Sequence, residues 1–246
     1  MSRNVLITGA TSGLGLALAR LYAEDSSLVL IGRRPLAELD DPLFREETYC
    51  RCDLALADCG EVIAGWLKDR GIDKLELVIH NAGVGAFGPV DEQTPEEMDK
   101  LLEVNLYAPI RLTHALLPSL KRARGKLVFI SSVAADLPAP DYAVYSATKA
   151  GLSGFARNLR LELGAQVAVQ TLYPGAIRTG IHAKSGVPEE QFDLSRFPSP
   201  DEVAQQALRA IEHGRPNVTF GLGNKLLRAV GRYSRGPVDS VMRWRR

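Results

Sequence analysis

The hydrophobic positions of this chain fall into six short runs separated by longer amphipathic stretches. The runs are rich in β-branched residues and leucine, and nearly all are apolar on both sides of the alternation. They cover residues 5–8, 28–31, 75–79, 127–130, 167–172 and, more weakly, 218–220. Strands that bury both faces belong to parallel sheets covered by helices, so the pattern predicts a parallel β-sheet.

Helical periodicity in the intervening stretches predicts the covering helices at residues 13–23, 56–69, 95–122, 145–164 and 200–213. Two of them carry a start signal, because Thr94 with Glu97 and Ser199 with Glu202 have capping-box spacing. Strand and helix alternate throughout. The expected fold class is therefore α/β, a single-domain, Rossmann-like, doubly wound parallel sheet with helices on both faces, which binds ligands beyond the carboxyl ends of its strands.

Composition agrees with one domain over residues 1–246. The chain is 46% hydrophobic and 24% charged, as in ordinary globular proteins, and no Ser-, Gly- or Pro-rich linker divides it. Its formal net charge of +1 gives no general electrostatic case for binding nucleic acid. Residues 224–246 nevertheless hold seven Lys or Arg and one acidic residue, so we expect basic surface only near the C-terminus.

Cysteine usage and the N-terminal sequence predict a cytoplasmic location. Cys50, Cys52 and Cys59 lack the paired CxxC spacing of a structural zinc site, so we expect reduced thiols and no metal. The N-terminal segment runs straight into a predicted strand without an apolar signal region, and no run of about 18 apolar residues occurs.

A glycine-rich turn follows the first predicted strand and opens the first predicted helix. It contains Gly9, Thr11, Ser12, Gly13, Leu14 and Gly15 in a GxxxGxG spacing, which departs from the GxGxxG form of the general dinucleotide fingerprint. Glycines allow a tight turn and let backbone N–H groups approach a pyrophosphate, whose charge is favoured at a helix N-terminus. We interpret the turn as a phosphate cradle; a purely structural glycine turn is the alternative.

The residues after the second predicted strand bear on the choice between NAD and NADP. An NAD site usually places an acid here, about 20 residues beyond the glycines, to bind the ribose 2′-hydroxyl. This chain has Gly32-Arg33-Arg34 instead. A guanidinium binds a 2′-phosphate through charge-assisted hydrogen bonds, so we predict NADP(H), with Arg33 as the direct ligand. Arg34 would stack or stay solvated, Ser12 would add a hydroxyl donor, and two exposed loop arginines are the alternative.

Tyr145 and Lys149 are candidates for proton transfer. At i, i+4 near the start of a predicted helix they share one face, about 6 Å apart at Cβ. A neighbouring ammonium favours the phenolate, so Lys149 is expected to lower the Tyr145 pKa towards the working range. Ser132 follows the strand at residues 127–130, where its hydroxyl could bind a substrate oxygen. A YxxxK pair alone is commonplace, and its alternative is a partly buried Tyr beside a Lys whose charged end reaches solvent.

In this order the motifs resemble those of the classical short-chain dehydrogenases/reductases, and the resemblance runs over nearly the whole chain. It rests on the TGxxxGxG turn, Asp53-Leu54, Asn81-Ala82-Gly83, Asn105 within VNL, Ser132 thirteen residues before Tyr145, Lys149, and Pro174-Gly175 leading through Ile177 to Thr179. One departure is His80, where the family often has Asn.

The resemblance implies an oxidoreductase that transfers a hydride between NADP(H) and a carbonyl or alcohol substrate. Tyr145 would be the general acid/base, Ser132 would hold the substrate oxygen, and Lys149 would bind the nicotinamide ribose. By the same matching Asn105 would complete a water-linked proton relay. The remaining residues would contact or support the cofactor, namely Asp53 and Leu54 at the adenine, Asn81, Ala82 and Gly83 at the central strand, and Pro174, Gly175, Ile177 and Thr179 at the nicotinamide. A homodimer or homotetramer is also implied.

A different hypothesis is a regulatory or scaffold protein that binds NADP(H) without turnover.

Substrate specificity is expected from residues 134–142 and from a lid at about residues 180–198, where Ile181, Val187, Phe192, Leu194 and Phe197 would line an apolar pocket or pack on the core. The tail at about residues 222–246 predicts a basic amphipathic helix. Weak contact with an anionic membrane surface is one interpretation of this helix; packing over the active site or at a subunit interface is the other.

Overall fold

The computed structural model describes residues 3–179, 194–233 and 236. In this part of the chain seven parallel strands form one sheet in the order β3-β2-β1-β4-β5-β6-β7. The strands are β1 (Arg3–Thr8), β2 (Ser26–Gly32), β3 (Tyr49–Arg51), β4 (Leu77–His80), β5 (Lys126–Ile130), β6 (Ala168–Tyr173) and β7 (Asn217–Thr219). The doubly wound parallel sheet predicted from the sequence is confirmed.

The strand order reverses beside β1, which pairs with β2 on one side and β4 on the other. Leu6 is in register with Val29 of β2 and with Val78 of β4. The chain leaves β1 towards β2 and β3 and then returns to β4, so a crevice forms at the carboxyl ends of β1 and β4. Doubly wound folds bind their ligands at such a point.

Helices cover both faces of the sheet. They are α1 (Gly13–Tyr22), α2 (Cys59–Asp69), α3 (Pro95–Leu102), α4 (Ala108–Ala123), α5 (Ala143–Leu163), α6 (Pro200–His213) and α7 (Leu222–Tyr233). Strand residues alternate between two cores, as the pleat requires: Leu6 packs with α2, α4 and α5, whereas Val5 and Ile7 pack with α1 and α6. Burying each large aliphatic side chain contributes about 1.5–3 kcal/mol to the free energy of unfolding, so both layers stabilise the sheet that carries the site.

Both predicted capping boxes are present. The Thr94 hydroxyl accepts from the Glu97 N–H at the start of α3, and Ser199 does the same with Glu202 at the start of α6. Elsewhere the boundaries move by a few residues, since α2 begins at Cys59 and α5 at Ala143.

One local prediction was wrong, and one strand was not predicted. The single helix expected at residues 95–122 is divided by a π-helical turn, Glu103–Tyr107, between α3 and α4. β3 was not predicted, because a three-residue edge strand with one exposed residue carries too little periodicity to recognise.

Among the helices that the structure describes, none combines the length and the apolar character needed to cross a membrane.

Candidate active site

The glycine turn after β1 is packed too tightly for side chains. Gly9 and Gly13 have φ of +66° and +55°, values that favour glycine. A Cβ on Gly9 would lie 2.8 Å from the Cα of Ala82, and one on Gly15 would lie 2.2 Å from the Gly9 carbonyl oxygen. The turn therefore requires glycine at these positions.

The N-terminus of α1 is suited to an anion. Its N-cap is Ser12, whose side chain makes no capping hydrogen bond, and its first turn carries no acidic residue. Backbone N–H groups at a helix N-terminus attract phosphate oxygens. The turn and the helix start thus fit the pyrophosphate of a dinucleotide. Leu14 of the same turn is buried and packs into the core beneath it.

Three arginines gather at the carboxyl ends of β2 and β3. Arg33 and Arg34 are exposed at the end of β2, and Arg34 donates a hydrogen bond to the carbonyl of Thr11. Arg51, the last residue of β3, donates from Nε to the Arg33 carbonyl at 3.2 Å. Arg51 therefore lies against the Arg33 backbone, and Arg33 has no acidic neighbour in the chain. Arg51 escaped the sequence prediction because only the pairing of β3 with β2 brings it here.

Asp53 and Asn81 line the same edge of the sheet. Asp53 is half-buried after β3, and its carboxylate accepts from the Ala55 N–H at 3.0 Å, while Leu54 beside it is buried. The Asn81 side-chain amide donates to the Thr8 carbonyl at 2.9 Å. Asn81 therefore ties β4 to the end of β1, next to the glycine turn.

The candidate proton-transfer residues come together between β5 and α5. Ser132 follows β5 and is the N-cap of a 3₁₀ turn, Val133–Ala135, where its Oγ accepts from the Ala134 N–H at 3.1 Å. The Ser132 hydroxyl lies close enough to the phenol of Tyr145, on the first turn of α5, to lower the pKa of that phenol. Lys149 is buried, with its Nζ 5.8 Å from the centre of the Tyr145 ring. The hydroxyl, phenol and ammonium thus occupy one pocket, as the sequence predicted.

The electrostatics of this pocket differ from expectation. Burial raises the pKa of Tyr145, and the Ser132 hydroxyl offsets this only in part. Burial also lowers the pKa of Lys149 to about 8. Desolvation disfavours both charged forms, so the predicted lowering of the Tyr145 pKa by Lys149 is not what this geometry produces.

Asn105 lies within the π-helical turn and is fully buried. Its Oδ1 accepts from the Val84 N–H at 2.8 Å, and its Nδ2 donates to the Val84 carbonyl at 2.9 Å and to Thr148 Oγ1 at 3.3 Å. A Cβ built on Gly83 would lie 3.4 Å from Asn105 Oδ1 and 3.5 Å from Lys149 Nζ. Asn105 therefore fixes the segment after Gly83 against α5, beside the Lys149 ammonium. Its role in a proton relay stays a prediction.

The segment after β6 closes the crevice. The Pro174 carbonyl accepts from the Val133 N–H at 3.1 Å, which joins this segment to the turn after Ser132. Thr179 reaches the glycine turn, since a Cβ on Gly13 would lie 3.2 Å from its Cγ2. Ile177 packs on the core that contains α1, and Gly175 lies against Asn224 of α7. The predicted nicotinamide-end residues thus border both the phosphate turn and the proton-transfer pocket.

An aromatic wall adjoins Tyr145. The ring of Tyr142 contacts that of Tyr145 with centroids 6.0 Å apart, and Phe87 contacts Tyr142 at 5.2 Å. The Gly88 N–H donates to the Asp141 carbonyl at 2.8 Å, which joins the two loops that carry Phe87 and Tyr142. Phe87 was not predicted, because nothing in the local sequence shows that these loops meet.

Most of the predicted lid lies outside the described residues. Ile181, Val187 and Phe192 lie outside the described residues, as does the side chain of Leu194, while Phe197 is partly buried.

His80 is a buried core residue: its ring stacks on Phe129 at 5.0 Å and its Nε2 hydrogen-bonds to Thr113 Oγ1 at 3.2 Å.

Comparison with known proteins agrees with this geometry. The short chain dehydrogenase family model matches residues 3–190. Dehydrogenase/reductase SDR family member 4 of Bos taurus is 33% identical over 217 residues, which cover 81% of this chain and 77% of the relative.

Two solved structures are also similar. A short-chain dehydrogenase from Sphingobium yanoikuyae in complex with NADPH superposes with a TM-score of 0.80 at 27% identity, over 97% of this chain and 95% of that one. An alcohol dehydrogenase from Thermococcus sibiricus complexed with 5-hydroxy-NADP has a TM-score of 0.74 at 28% identity, over 89% of this chain and 95% of that one.

Proposed function

Because the chain belongs to the short-chain dehydrogenase family, we propose that it transfers a hydride between NADP(H) and a carbonyl or alcohol substrate. The observation that carries this proposal is the meeting of Ser132, Tyr145 and Lys149 in one pocket at the carboxyl edge of the sheet, next to a turn shaped for a dinucleotide.

The proton-transfer roles follow from the protonation states in the pocket. A bound nicotinamide would supply or accept the hydride at the substrate carbon. The Ser132 hydroxyl donates a hydrogen bond to the substrate oxygen, and Tyr145 Oη gives that oxygen its proton during reduction. Because burial raises the pKa of Tyr145, the phenol stays protonated at neutral pH, which suits the acid role in carbonyl reduction.

The preference for NADP(H) is supported by Arg33. It is exposed at the position where an NAD site usually carries an acid, and Arg51 donates to its carbonyl. The similar Sphingobium structure is described with NADPH. Arg34 is already hydrogen-bonded to Thr11, so it shapes the loop more than it reaches for a ligand.

A hydrophobic substrate is supported by the aromatic wall. Phe87 and Tyr142 offer two ring surfaces beside Tyr145, and neither carries a charge at neutral pH. We expect flat or aliphatic ketones and aldehydes rather than phosphorylated sugars.

The test is a carbonyl panel of aliphatic, aromatic, steroid and retinoid compounds, followed through NADPH fluorescence. We expect turnover with NADPH, and Tyr145→Phe should abolish it while NADPH binding, measured by titration, persists. A wild-type protein that binds NADPH but turns over no carbonyl or alcohol would instead favour the regulatory, non-catalytic hypothesis.

We also propose that copies of the chain associate through α4 and α5. Tyr107, at the end of the π-helical turn, and Leu161 on α5 are exposed by 42% and 77%. Light scattering of the purified protein measures whether it is a dimer or a tetramer; a monomer would contradict the proposal.

A further inference from the structure

Helix α7 is attached to the rest of the protein by its polar side. Its Arg228 forms an ion pair of 2.5 Å with Asp136, on the turn that follows Ser132. The same guanidinium donates to Thr219 Oγ1 at 3.1 Å and lies 3.2 Å from the centre of the Tyr173 ring. Only 12% of the Arg228 side chain is exposed, so this arginine is the anchor of the helix.

Small and polar residues complete this contact. Gly231 is buried, and a Cβ there would lie 2.3 Å from the Asp136 carbonyl oxygen. Asn224 lies against Gly175 and donates to the Phe220 carbonyl at 2.9 Å. Asn224, Arg228 and Gly231 are spaced by four and three residues, so they form one face, and that face is turned to the protein.

The apolar face of α7 is turned away from the protein. Its exposed residues are Leu222 (83%), Leu226 (67%), Leu227 (53%), Val230 (38%) and Tyr233 (80%). At about 100° per residue these five occupy one continuous arc that excludes the anchoring face. An amphipathic helix normally turns its apolar stripe to the core, whereas a contiguous exposed stripe marks an interaction surface.

The charges beside this stripe indicate which kind of surface it suits. Lys225 and Arg232 are exposed on one flank of the arc, and residues 224–246 together hold seven basic residues and one acidic residue. A stripe of leucine with flanking cations is suited to the boundary between headgroups and acyl chains of an anionic bilayer. Tyr233 adds an amphipathic ring of the kind enriched at that boundary.

A second copy of the chain fits this surface less well. A twelve-residue helix is only about 18 Å long, which offers a small part of the roughly 800 Å² per partner of a standard interface. A twofold contact through this stripe would also bring Lys225 and Arg232 of the two copies towards each other. We therefore propose that α7 docks the protein on the surface of an anionic membrane.

Co-sedimentation with lipid vesicles tests this proposal without reference to turnover. The full chain should bind vesicles of phosphatidylcholine with phosphatidylserine and sediment far less with phosphatidylcholine alone, and added salt should weaken the binding. Leu226→Gln with Leu227→Gln should reduce binding about tenfold or more, since two leucines leave the acyl boundary. Lys225→Glu with Arg232→Glu should remove the preference for phosphatidylserine.

Leu56→Gln is the matched control, because this leucine is 57% exposed, between the values for Leu227 and Leu226, but lies before α2 and outside the proposed self-association surface. It should bind vesicles as wild type does. The proposal is overturned if wild-type protein does not distinguish the two vesicle types, or if the leucine pair binds as well as wild type. It is also overturned if light scattering shows that the leucine pair lowers the oligomeric mass while vesicle binding stays unchanged, which would assign the stripe to a second copy.

Discussion

The ammonium of Lys149 donates a hydrogen bond of 3.1 Å to the carbonyl oxygen of Ile130, the last residue of β5. This bond joins α5 to the strand that leads into Ser132. It also holds the ammonium in a buried position, where desolvation lowers its pKa to about 8.

The pH dependence of carbonyl reduction should follow Lys149. Below pH 8 the amine is charged and available to the cofactor ribose, and above it the charge is lost, so kcat/KM for reduction should fall as the pH rises through about 8. Lys149→Arg keeps its charge at every working pH, so its residual activity should lack this decline. An unchanged alkaline limb in the arginine variant would contradict the assignment.

Arg33→Ala should change cofactor preference. Loss of one charge-assisted contact to the 2′-phosphate should lower kcat/KM for NADPH about 10- to 100-fold and leave that for NADH nearly unchanged. Arg45→Ala is the control, because Arg45 is also exposed but precedes β3 at the opposite end of the strand. Equal losses of kcat/KM with both cofactors would show that Arg33 does not bind the 2′-phosphate. Arg51→Ala should also lower kcat/KM for NADPH, but by a smaller factor.

Gly15→Ala should impair cofactor binding. The added Cβ would lie 2.2 Å from the Gly9 carbonyl and 2.5 Å from Asn81 Nδ2, so the turn must open. NADPH affinity, measured by fluorescence titration, should fall at least about tenfold if the protein still folds, as circular dichroism will show.

Gly65→Ala in α2 provides the comparison, because a Cβ there meets nothing within 4 Å. It should raise the free energy of unfolding by about 0.5–1 kcal/mol and leave NADPH affinity unchanged. Equal effects of the two substitutions on affinity would argue against a steric role for Gly15.

His80 should make the protein sensitive to acid. Burial lowers its pKa from 6.5 to about 3, so the folded protein keeps the ring neutral while the unfolded chain protonates it below pH 6.5. This contribution to stability is fully present above pH 6.5 and is lost by about 1.4 kcal/mol per pH unit as the pH falls towards 3.

The check is urea unfolding at several pH values with wild type and His80→Asn. The variant does not titrate at this position and should lose less stability between pH 6.5 and 4.5, even though its smaller side chain lowers stability at neutral pH. If the free energy of unfolding falls equally with pH in the two proteins, His80 is not the cause of the acid sensitivity.

The Arg228 anchor should couple α7 to the turn after Ser132. Arg228→Met and Asp136→Leu, with the double variant, form a double-mutant cycle whose interaction energy should be about 1–3 kcal/mol, because both side chains are mostly buried. Hydrogen exchange should show faster exchange of α7 amides in either single variant. An interaction energy near zero would show that the Arg228–Asp136 ion pair does not hold the helix.

Much of the sheet and the candidate site could be predicted because the signals are local. Doubly apolar runs indicated six of the seven strands seen in the described residues, and capping boxes at Thr94 and Ser199 marked two helix starts. Glycine spacing and the i, i+4 relation of Tyr145 and Lys149 are likewise properties of neighbouring residues. These features depend on backbone conformation within one turn of chain, which residue types alone constrain strongly.

Other features depended on packing between distant segments. The π-helical turn at Asn105, the approach of Arg51 to Arg33 and the aromatic wall of Phe87 all require contacts that sequence spacing does not encode. The protonation behaviour of the site belongs here too, because pKa shifts follow burial, and burial is set by the whole core.

Helix α7 shows most clearly which features the sequence determines and which the tertiary structure decides. Its amphipathic pattern is plain in the sequence, and so is its positive charge. Which face meets the protein could not be read from that pattern, because an apolar face can pack on the core or lie on an external surface. The tertiary structure decided the orientation, since the Asp136 carboxylate and the Tyr173 ring together bind Arg228 and leave the leucines exposed.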